Sequence, residues 1–319
     1  LLKVRDIFHR FAKFTVMSFP PQIESRYSGL LPQKGWPMRN YRFWRHRVIP
    51  GLLSRRVGVA CDPVRHPPVS GALRVTWIGH AGFYLQFAGH SVIIDPNWAR
   101  FHGPVKRIRE PGLPLRDLPE VDLVLVTHAH FDHLHKPSLR VLQARQGIVV
   151  PRGSGDLVRR LGFPSVHEMK IWDALTFDEL EVTHTPSHHW GARYLHDIHR
   201  DFGGYVIRAA NKSIFHCGDS AYFDGFREIG KRQEIDVALM PIGAYDAPSG
   251  RDVHMNPEQA VQAFADLGAK VMIPMHYGTF PLGNEPHEEP VERLLMEADR
   301  LGLSEHILIP EAGVGIDLV

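Results

Sequence analysis

The seven residues Thr127-His128-Ala129-His130-Phe131-Asp132-His133 carry the densest chemistry in this 319-residue chain. Three imidazoles and a carboxylate within six positions offer the nitrogen and oxygen donors that suit zinc and its borderline neighbours. A single catalytic cation needs only three protein ligands and an open position for water. Four donors in one loop, with more histidines downstream, point to two cations sharing it. A lone His-x-His reads as ordinary loop chemistry, but the ordered His-x-His-x-Asp-His at the end of an apolar run does not.

That apolar run, residues 121–127, is short and valine-rich, and predicts a buried strand whose carboxyl end delivers the histidine loop. If two cations are held, further donors belong at the ends of later strands, and they recur there. A strand near 179–184 leads into Pro186-Ser187-His188-His189-Trp190, where local geometry allows one of the two adjacent histidines to reach the metals. The strand 212–217 ends in Cys217-Gly218-Asp219-Ser220, where Gly218 permits a tight turn and Asp219 can bridge two cations with its two oxygens. The strand 270–275 runs into Met275-His276-Tyr277-Gly278.

The elements that position these donors follow from period and punctuation. Short β-branched runs at 73–78, 83–87 and 91–94 predict strands. After the 121–127 strand come a helix near 137–145, a strand at 147–150, a helix near 155–161 and a strand at 166–171. A second series has strands near 179–184, 203–209 and 212–217, a helix near 222–232, a strand at 236–241, a helix at 257–267 and a strand at 270–275. A helix at 288–301 and strands near 307–309 and 314–318 close the chain. Two packed sheets flanked by helices satisfy this order.

Charge is distributed unevenly. Residues 1–70 hold 13 Lys/Arg against 3 Asp/Glu, and the remainder holds 24 against 32, although the whole chain is only +2. Residues 1–17 set Leu1, Val4, Ile7, Phe8, Phe11 and Phe14 at helical spacing opposite Lys3, Arg5, Arg10 and Lys13, a basic amphipathic pattern that suits either an anionic membrane surface or docking of its apolar face on the domain. Residues 22–70 read as an irregular arm anchored by Trp36, Tyr41, Phe43 and Trp44. No apolar stretch of about 18 residues occurs to span a bilayer. Cys61 and Cys217 match no zinc or redox spacing, so a disulfide framework is not expected. A cytoplasmic or peripheral membrane location of bacterial type is expected; the chain begins at Leu1, and an export signal upstream is left open.

Beyond the ligand pattern, the blocks Thr76-Trp77-Ile78-Gly79-His80-Ala81, Thr185-Pro186-Ser187-His188-His189-Trp190, Phe226-Arg227-Glu228-Ile229-Gly230, Pro241-Ile242-Gly243-Ala244-Tyr245, Asn256-Pro257-Glu258-Gln259-Ala260 and His276-Tyr277-Gly278-Thr279-Phe280 are notable. Together with His128-x-His130-x-Asp132-His133, His189, Asp219 and His276, they resemble the dinuclear metallo-β-lactamase superfamily, and within it the N-acylphosphatidylethanolamine-hydrolysing phospholipase D family and its bacterial relatives. The resemblance implies an αββα sandwich over residues 73–319, preceded by a basic amphipathic helix and irregular arm over 1–72. It implies two Zn²⁺, with iron or manganese admitted by the donor types. His128, His130 and His189 would hold one, Asp132, His133 and His276 the other, with Asp219 between them. His188 stands where the family commonly has glutamine and is assigned no metal. His254 matches a family position near substrate and is expected to act as general acid; Phe131 stands where the lipid hydrolase has tyrosine, a substrate contact that here lacks its hydroxyl.

The expected mechanism follows from the metals. Two cations about 3.5–4 Å apart lower the pKa of a bridging water and neutralise charge on the attacked centre, so a metal-bridging hydroxide attacks in line. No side-chain nucleophile is then needed, and Cys217 and Ser220 read as a packing residue and a loop hydroxyl. His80 and Asp95 are expected to orient the ligating imidazoles. Tyr222, Phe223 and Tyr245 are candidates to line an acyl groove. The expected activity is hydrolysis of N-acylphosphatidylethanolamine or a related phospholipid to N-acylethanolamine and phosphatidic acid; the alternative is a soluble lactonase or phosphorylated-sugar hydrolase. A nucleic-acid partner is not expected, a homodimer is allowed, and Asp219 in place of a cysteine argues against β-lactam turnover.

Overall fold

The computed structural model describes residues 35–58, 71–118, 120–194 and 196–318. The amphipathic pattern at 1–17 lies outside them. The described chain opens with one continuous helical segment, α1 (Trp36–Phe43), a π-helical turn (Trp44–Val48) and α2 (Ile49–Leu53). The strands follow as β1 (Leu73–Gly79), β2 (Gly82–Phe87), β3 (His90–Ile94), a small hairpin of β4 (Phe101–His102) and β5 (Val105–Lys106), and then β6 (Leu123–Leu125). Next come α3 (Lys136–Leu139), β7 (Ile148–Pro151), α4 (Gly155–Val158), β8 (Val166–Met169), β9 (Ala174–Phe177), β10 (Leu180–Thr185), β11 (Gly204–Ala209) and β12 (Lys212–His216). The chain ends with α5 (Gly225–Arg232), β13 (Val237–Pro241), α6 (Pro257–Leu267), β14 (Val271–Met275), α7 (Glu289–Arg300) and β15 (Gly315–Leu318).

Two mixed sheets pack face to face, one ordered β15-β1-β2-β3-β6-β7-β8 and the other β14-β13-β12-β11-β10-β9. Strand periodicity decides which residues fill the space between them. Trp77, Phe83, Leu85, Val92, Ile94, Leu123, Leu125 and Val149 point inward to meet Val182, Tyr205, Ile207, Phe215 and Leu239 of the second sheet. Their neighbours Ile78, Tyr84, Ile93, Val124, Val126, Ile148 and Val150 point outward and are covered by Leu134, Leu139, Leu157, Val158 and Leu161. Phe226, Ile229, Val261, Phe264, Leu267, Leu294 and Ala298, from α5, α6 and α7, belong to the larger core with the second sheet. The result is the αββα sandwich expected from the sequence. Gly230 allows α5 to approach α6 closely, since a Cβ there would lie 2.3 Å from the Leu267 carbonyl oxygen.

Three local expectations are corrected. The helix expected over 137–145 stops at Leu139, because Val121 exchanges backbone hydrogen bonds with Gln143 and Arg145 and pulls that stretch to the sheet. The strand expected near 307–309 is a 3₁₀ turn, Ser304–His306, followed by a single bridge from Ile307 to Met272. The stretch read as irregular is helical over Trp36–Leu53, and of its four expected aromatic anchors only Phe43 is one: with Val48 it is buried against Ala99, Val105 and Phe280, while Trp36, Tyr41 and Trp44 are exposed. Those two buried residues are five apart, and the π turn between them keeps such a spacing on one face.

Candidate metal centre

Strands β3 and β6 pair in parallel, as do β12, β13 and β14, so their carboxyl ends lie together at an edge of each sheet. From these ends come Asp95, the histidine loop, Asp219 and His276. One group of potential ligands is His128, His130, His189 and Asp219; a second is His80, Asp132, His133 and His276; and Asp219 also groups with His254 and His276. Within each group the ligand atoms lie within 4.8 Å of one another. Of the adjacent pair, His189 turns inward and is buried, while His188 is exposed.

The first group is a convergence of imidazole nitrogens. His128 Nε2 lies 2.9 Å and His189 Nε2 3.2 Å from His130 Nδ1. Asp219 Oδ2 completes it at 3.8 Å from both His128 Nε2 and His189 Nε2. The same oxygen is 3.2 Å from His133 Nε2 and from His276 Nε2, so it reaches the second group as well. There Asp132 Oδ2 stands 3.7 Å from each of those two nitrogens.

This donor set fits a pair of divalent cations. Asp219 Oδ1, His254 Nδ1, both ring nitrogens of His276 and His133 Nε2 are buried and lack a hydrogen-bond partner among the described residues. So many orphaned polar atoms at one point are unfavourable unless something satisfies them. The electrostatics agree. Burial pushes the Asp219 carboxyl up, but His133, His276 and His254 outweigh it and hold the group well below the usual range. Burial likewise disfavours charge on His133 and His276, yet Asp219, together with Asp95 and Asp132 at His133 and with Asp132 at His276, raises both, His276 to about 9. The second group therefore attracts positive charge. In the first group burial and neighbouring imidazoles hold His128 well below its ordinary value.

A buried frame fixes the donors. Asp95 accepts from the Thr127 amide at 2.8 Å and the Thr127 hydroxyl at 2.7 Å, and its Oδ2 lies 2.7 Å from His133 Nδ1. This carboxylate thus orients the His133 imidazole. His80 acts on a different partner: its Nε2 lies 2.9 Å from Asp132 Oδ2, a carboxylate rather than an imidazole. The His189 Nδ1 faces the Val253 carbonyl oxygen at 3.0 Å. His80, Asp95 and His276 all adopt left-handed backbone conformations, with φ of 57°, 44° and 60°. Such strain costs on the order of 1–3 kcal/mol per residue and gathers at functional sites. Gly218 is required in its turn, with φ of 64° and no room for a Cβ beside the Gly203 carbonyl oxygen, 2.7 Å away.

Some residues lie where sequence reasoning gave no signal. Arg193 donates to the carbonyl oxygens of Ala129 and Leu134 at 2.8 and 2.9 Å, clamping both ends of the histidine loop. Asn97 donates to the Asp132 carbonyl oxygen at 2.7 Å. Both are distant in sequence from what they hold, and neither belongs to a recognisable spacing. His254 Nδ1 lies 3.8 Å from Asp219 Oδ2. Burial lowers its pKa to about 4, so the imidazole is neutral at pH 7. Phe131 is 45% exposed beside the loop, edge-on to Tyr194 and under the Arg193 guanidinium. The acyl-groove candidates have structural partners: Tyr222 donates to Asp266, Tyr245 donates to Glu289, and Phe223 packs on Phe226.

Comparison with known proteins places this arrangement. The family model described as beta-lactamase superfamily domain matches residues 90–277. An uncharacterized protein of Mycobacterium tuberculosis is 34% identical over 77% of this chain and 68% of its own length. The N-acyl-phosphatidylethanolamine-hydrolyzing phospholipase D 1 of Caenorhabditis elegans is 33% identical over 71% of this chain and 70% of its own length. A solved structure described as a possible metal-dependent hydrolase from Veillonella parvula shares the fold with a TM-score of 0.66, at 20% identity, covering 77% of this chain and all (100%) of that one. With two sheets delivering histidines and aspartates to one shared edge and a family match over more than half of its length, the chain belongs to the metallo-β-lactamase superfamily and has the site of a metal-dependent hydrolase.

Proposed function

We propose that this protein is a dinuclear metal-dependent phosphodiesterase of the phospholipase D type, hydrolysing N-acylphosphatidylethanolamine or a related phospholipid to N-acylethanolamine and phosphatidic acid. The observation that carries the reading is the pair of donor groups joined through Asp219, in a chain one-third identical to the C. elegans enzyme of that name. His128, His130 and His189 would hold one cation, Asp132, His133 and His276 the other, with Asp219 between. Zinc, iron and manganese all suit these donors.

When bound, the cations would acidify a water and neutralise charge at the attacked phosphorus. The chain's own residues do the rest. Asp219 Oδ1, buried and without a partner, accepts a hydrogen bond from the water and orients it. His254 Nδ1, neutral and equally unpartnered, takes the proton and passes it to the leaving alkoxide oxygen, so it becomes the acid only after acting as the base. Phe131 contributes an apolar contact for the substrate at the loop's exposed side.

An anionic lipid surface is the proposed partner. No helix among the described residues is long and apolar enough to cross a membrane. The helical segment Trp36–Leu53 instead exposes Trp36, Met38, Tyr41, Trp44, Ile49 and Leu53 beside Arg42 and Arg45. Aromatic and aliphatic side chains mixed with arginine, without an acidic residue between 36 and 58, suit the interface of an anionic leaflet. The segment is tied to the loop that leads to His254, through Arg39 to Asp246 and through Asn40 to the Pro248 carbonyl oxygen at 3.1 Å.

The test is product analysis after incubating zinc-loaded protein with N-acylphosphatidylethanolamine vesicles. N-acylethanolamine together with phosphatidic acid is expected. Free fatty acid as the product overturns the bond assignment, and turnover of lactones or phosphorylated sugars without need of vesicles favours the soluble alternative.

A further inference from the structure

Arg251 is a cation with no counter-anion among the described residues. It stands half-buried in the loop between β13 and α6, three residues before His254, and among the described residues its side chain makes no hydrogen bond or salt bridge. Its Nε is fully buried and donates to nothing. Burial is also all that moves the pKa of this guanidinium, downward, with no carboxylate offsetting it. Desolvating a cation with no partner is unfavourable, and natural chains keep such an arrangement where a ligand supplies the missing charge.

What steadies Arg251 is an aromatic ring that belongs to the site. Its Cζ lies 4.9 Å from the ring centroid of Trp190. That indole is edge-on to His130, centroids 4.5 Å apart, and it directly follows His189 in the chain. One ring therefore separates the guanidinium from the first donor group. Arg193 makes a useful contrast. It also lies over an aromatic ring, Phe131, at 4.0 Å, but its Nη1 is occupied by the Ala129 and Leu134 carbonyls. Arg193 holds the loop together, whereas the Arg251 side chain has no hydrogen-bond partner among the described residues.

We propose that Arg251, held on the face of Trp190, binds an oxyanion of the substrate at the rim of the metal centre and so selects anionic esters over neutral ones. A planar guanidinium matches a phosphate's oxygens bidentately, which gives orientation as well as affinity. The inference rests on the reading of this centre as hydrolytic and goes beyond it by naming the residue that recognises charge. It does not require that the substrate be a lipid.

The experiment compares zinc-loaded wild type, Arg251→Gln and Arg251→Lys on bis(4-nitrophenyl) phosphate, a monoanion, and 4-nitrophenyl acetate, which is neutral. In Arg251→Gln the KM for the phosphodiester is expected to rise relative to that for the acetate by about tenfold, the loss of one charge-assisted hydrogen bond. Arg251→Lys should restore part of it, having the charge without the fork. A second readout does not depend on turnover: inorganic phosphate titrated into metal-stripped protein should change tryptophan emission saturably in wild type, with weaker affinity in Arg251→Gln and no such change in Trp190→Phe. Equal KM shifts for both esters, or phosphate affinity unaltered by Arg251→Gln, would overturn the proposal. Failure of wild type to hydrolyse either ester would instead sink the hydrolytic reading, and the phosphate titration would still decide the role of Arg251.

Discussion

At the scale of single residues, Asp219 is the carboxylate that reaches both donor groups through one oxygen. Removing it should therefore affect both cations, whereas removing a histidine of one group should affect mainly that one. Metal analysis after dialysis is expected to find less than one zinc per chain in Asp219→Ala and about one in His130→Ala, given four-coordinate sites that each depend on their own ligands. Two full equivalents in Asp219→Ala would remove the idea of a shared carboxylate. Asp95 touches no proposed cation directly but orients His133, and such outer partners change affinity by roughly 10–100-fold. Competition with a fluorescent chelator should show a loss of that size in Asp95→Asn. The donors were legible in the sequence because histidine and aspartate at strand ends have few other reasons to recur. Arg193 and Asn97 were not, because hydrogen bonds to backbone carbonyls leave no trace in the residues that accept them.

At the scale of elements, the site depends on strand ends staying in register, and Asp236 fastens one of them. It accepts from the amide and hydroxyl of Ser213 on β12, at 2.8 and 3.0 Å, and from Lys270 Nζ at 2.6 Å just before β14. Burial pushes its carboxyl up, but these donors win and hold it below the ordinary value of 3.8. A carboxylate with a depressed folded pKa stabilises the fold above its unfolded pKa, and that contribution is lost as pH falls through the folded one. Asp236→Asn should thus cost about 1–3 kcal/mol at pH 7 and give a flatter decline below roughly pH 4. Urea midpoints between pH 3 and 7 would show it; a mutant curve parallel to wild type across that range contradicts it. The elements themselves were mostly readable, α6 to the residue, because Asn256 and Gln259 form a reciprocal cap and Gly268 ends the helix in a left-handed turn. The short helix α3 was overestimated because pairing of residues near 144 with Val121 is a tertiary contact that no local period announces.

At the scale of the molecule, charge and exposed apolar surface coincide on the segment Trp36–Leu53. Leu53 is 83% exposed and Met38 63%, values that solvent alone does not favour for a neighbouring set of large apolar side chains. If this face meets an anionic leaflet, Trp44→Ser combined with Leu53→Asp should weaken sedimentation with phosphatidylglycerol vesicles by about tenfold or more, and binding by wild type should fall as salt is raised. Binding indifferent to both the substitutions and the salt would exclude this face as the contact. Composition alone pointed to a basic amino-terminal region suited to an anionic surface. It could not say which side chains face outward: Phe43 is buried, but Trp36, Tyr41 and Trp44, assigned with it as anchors, are exposed.

The sequence by itself determined the alternation of strands and helices, and with it a two-sheet sandwich, because apolar runs buried on both faces need a second sheet on one side and helices on the other. It also determined which residue types stand at the strand ends. Only the tertiary structure decided that Asp219 reaches both donor groups, that His189 and not His188 turns inward, and that Asp95 serves His133 while His80 serves Asp132. Those outcomes depend on ångström-scale distances between segments up to about 200 positions apart in the chain, set by how two sheets pack and not by the spacing of letters along either.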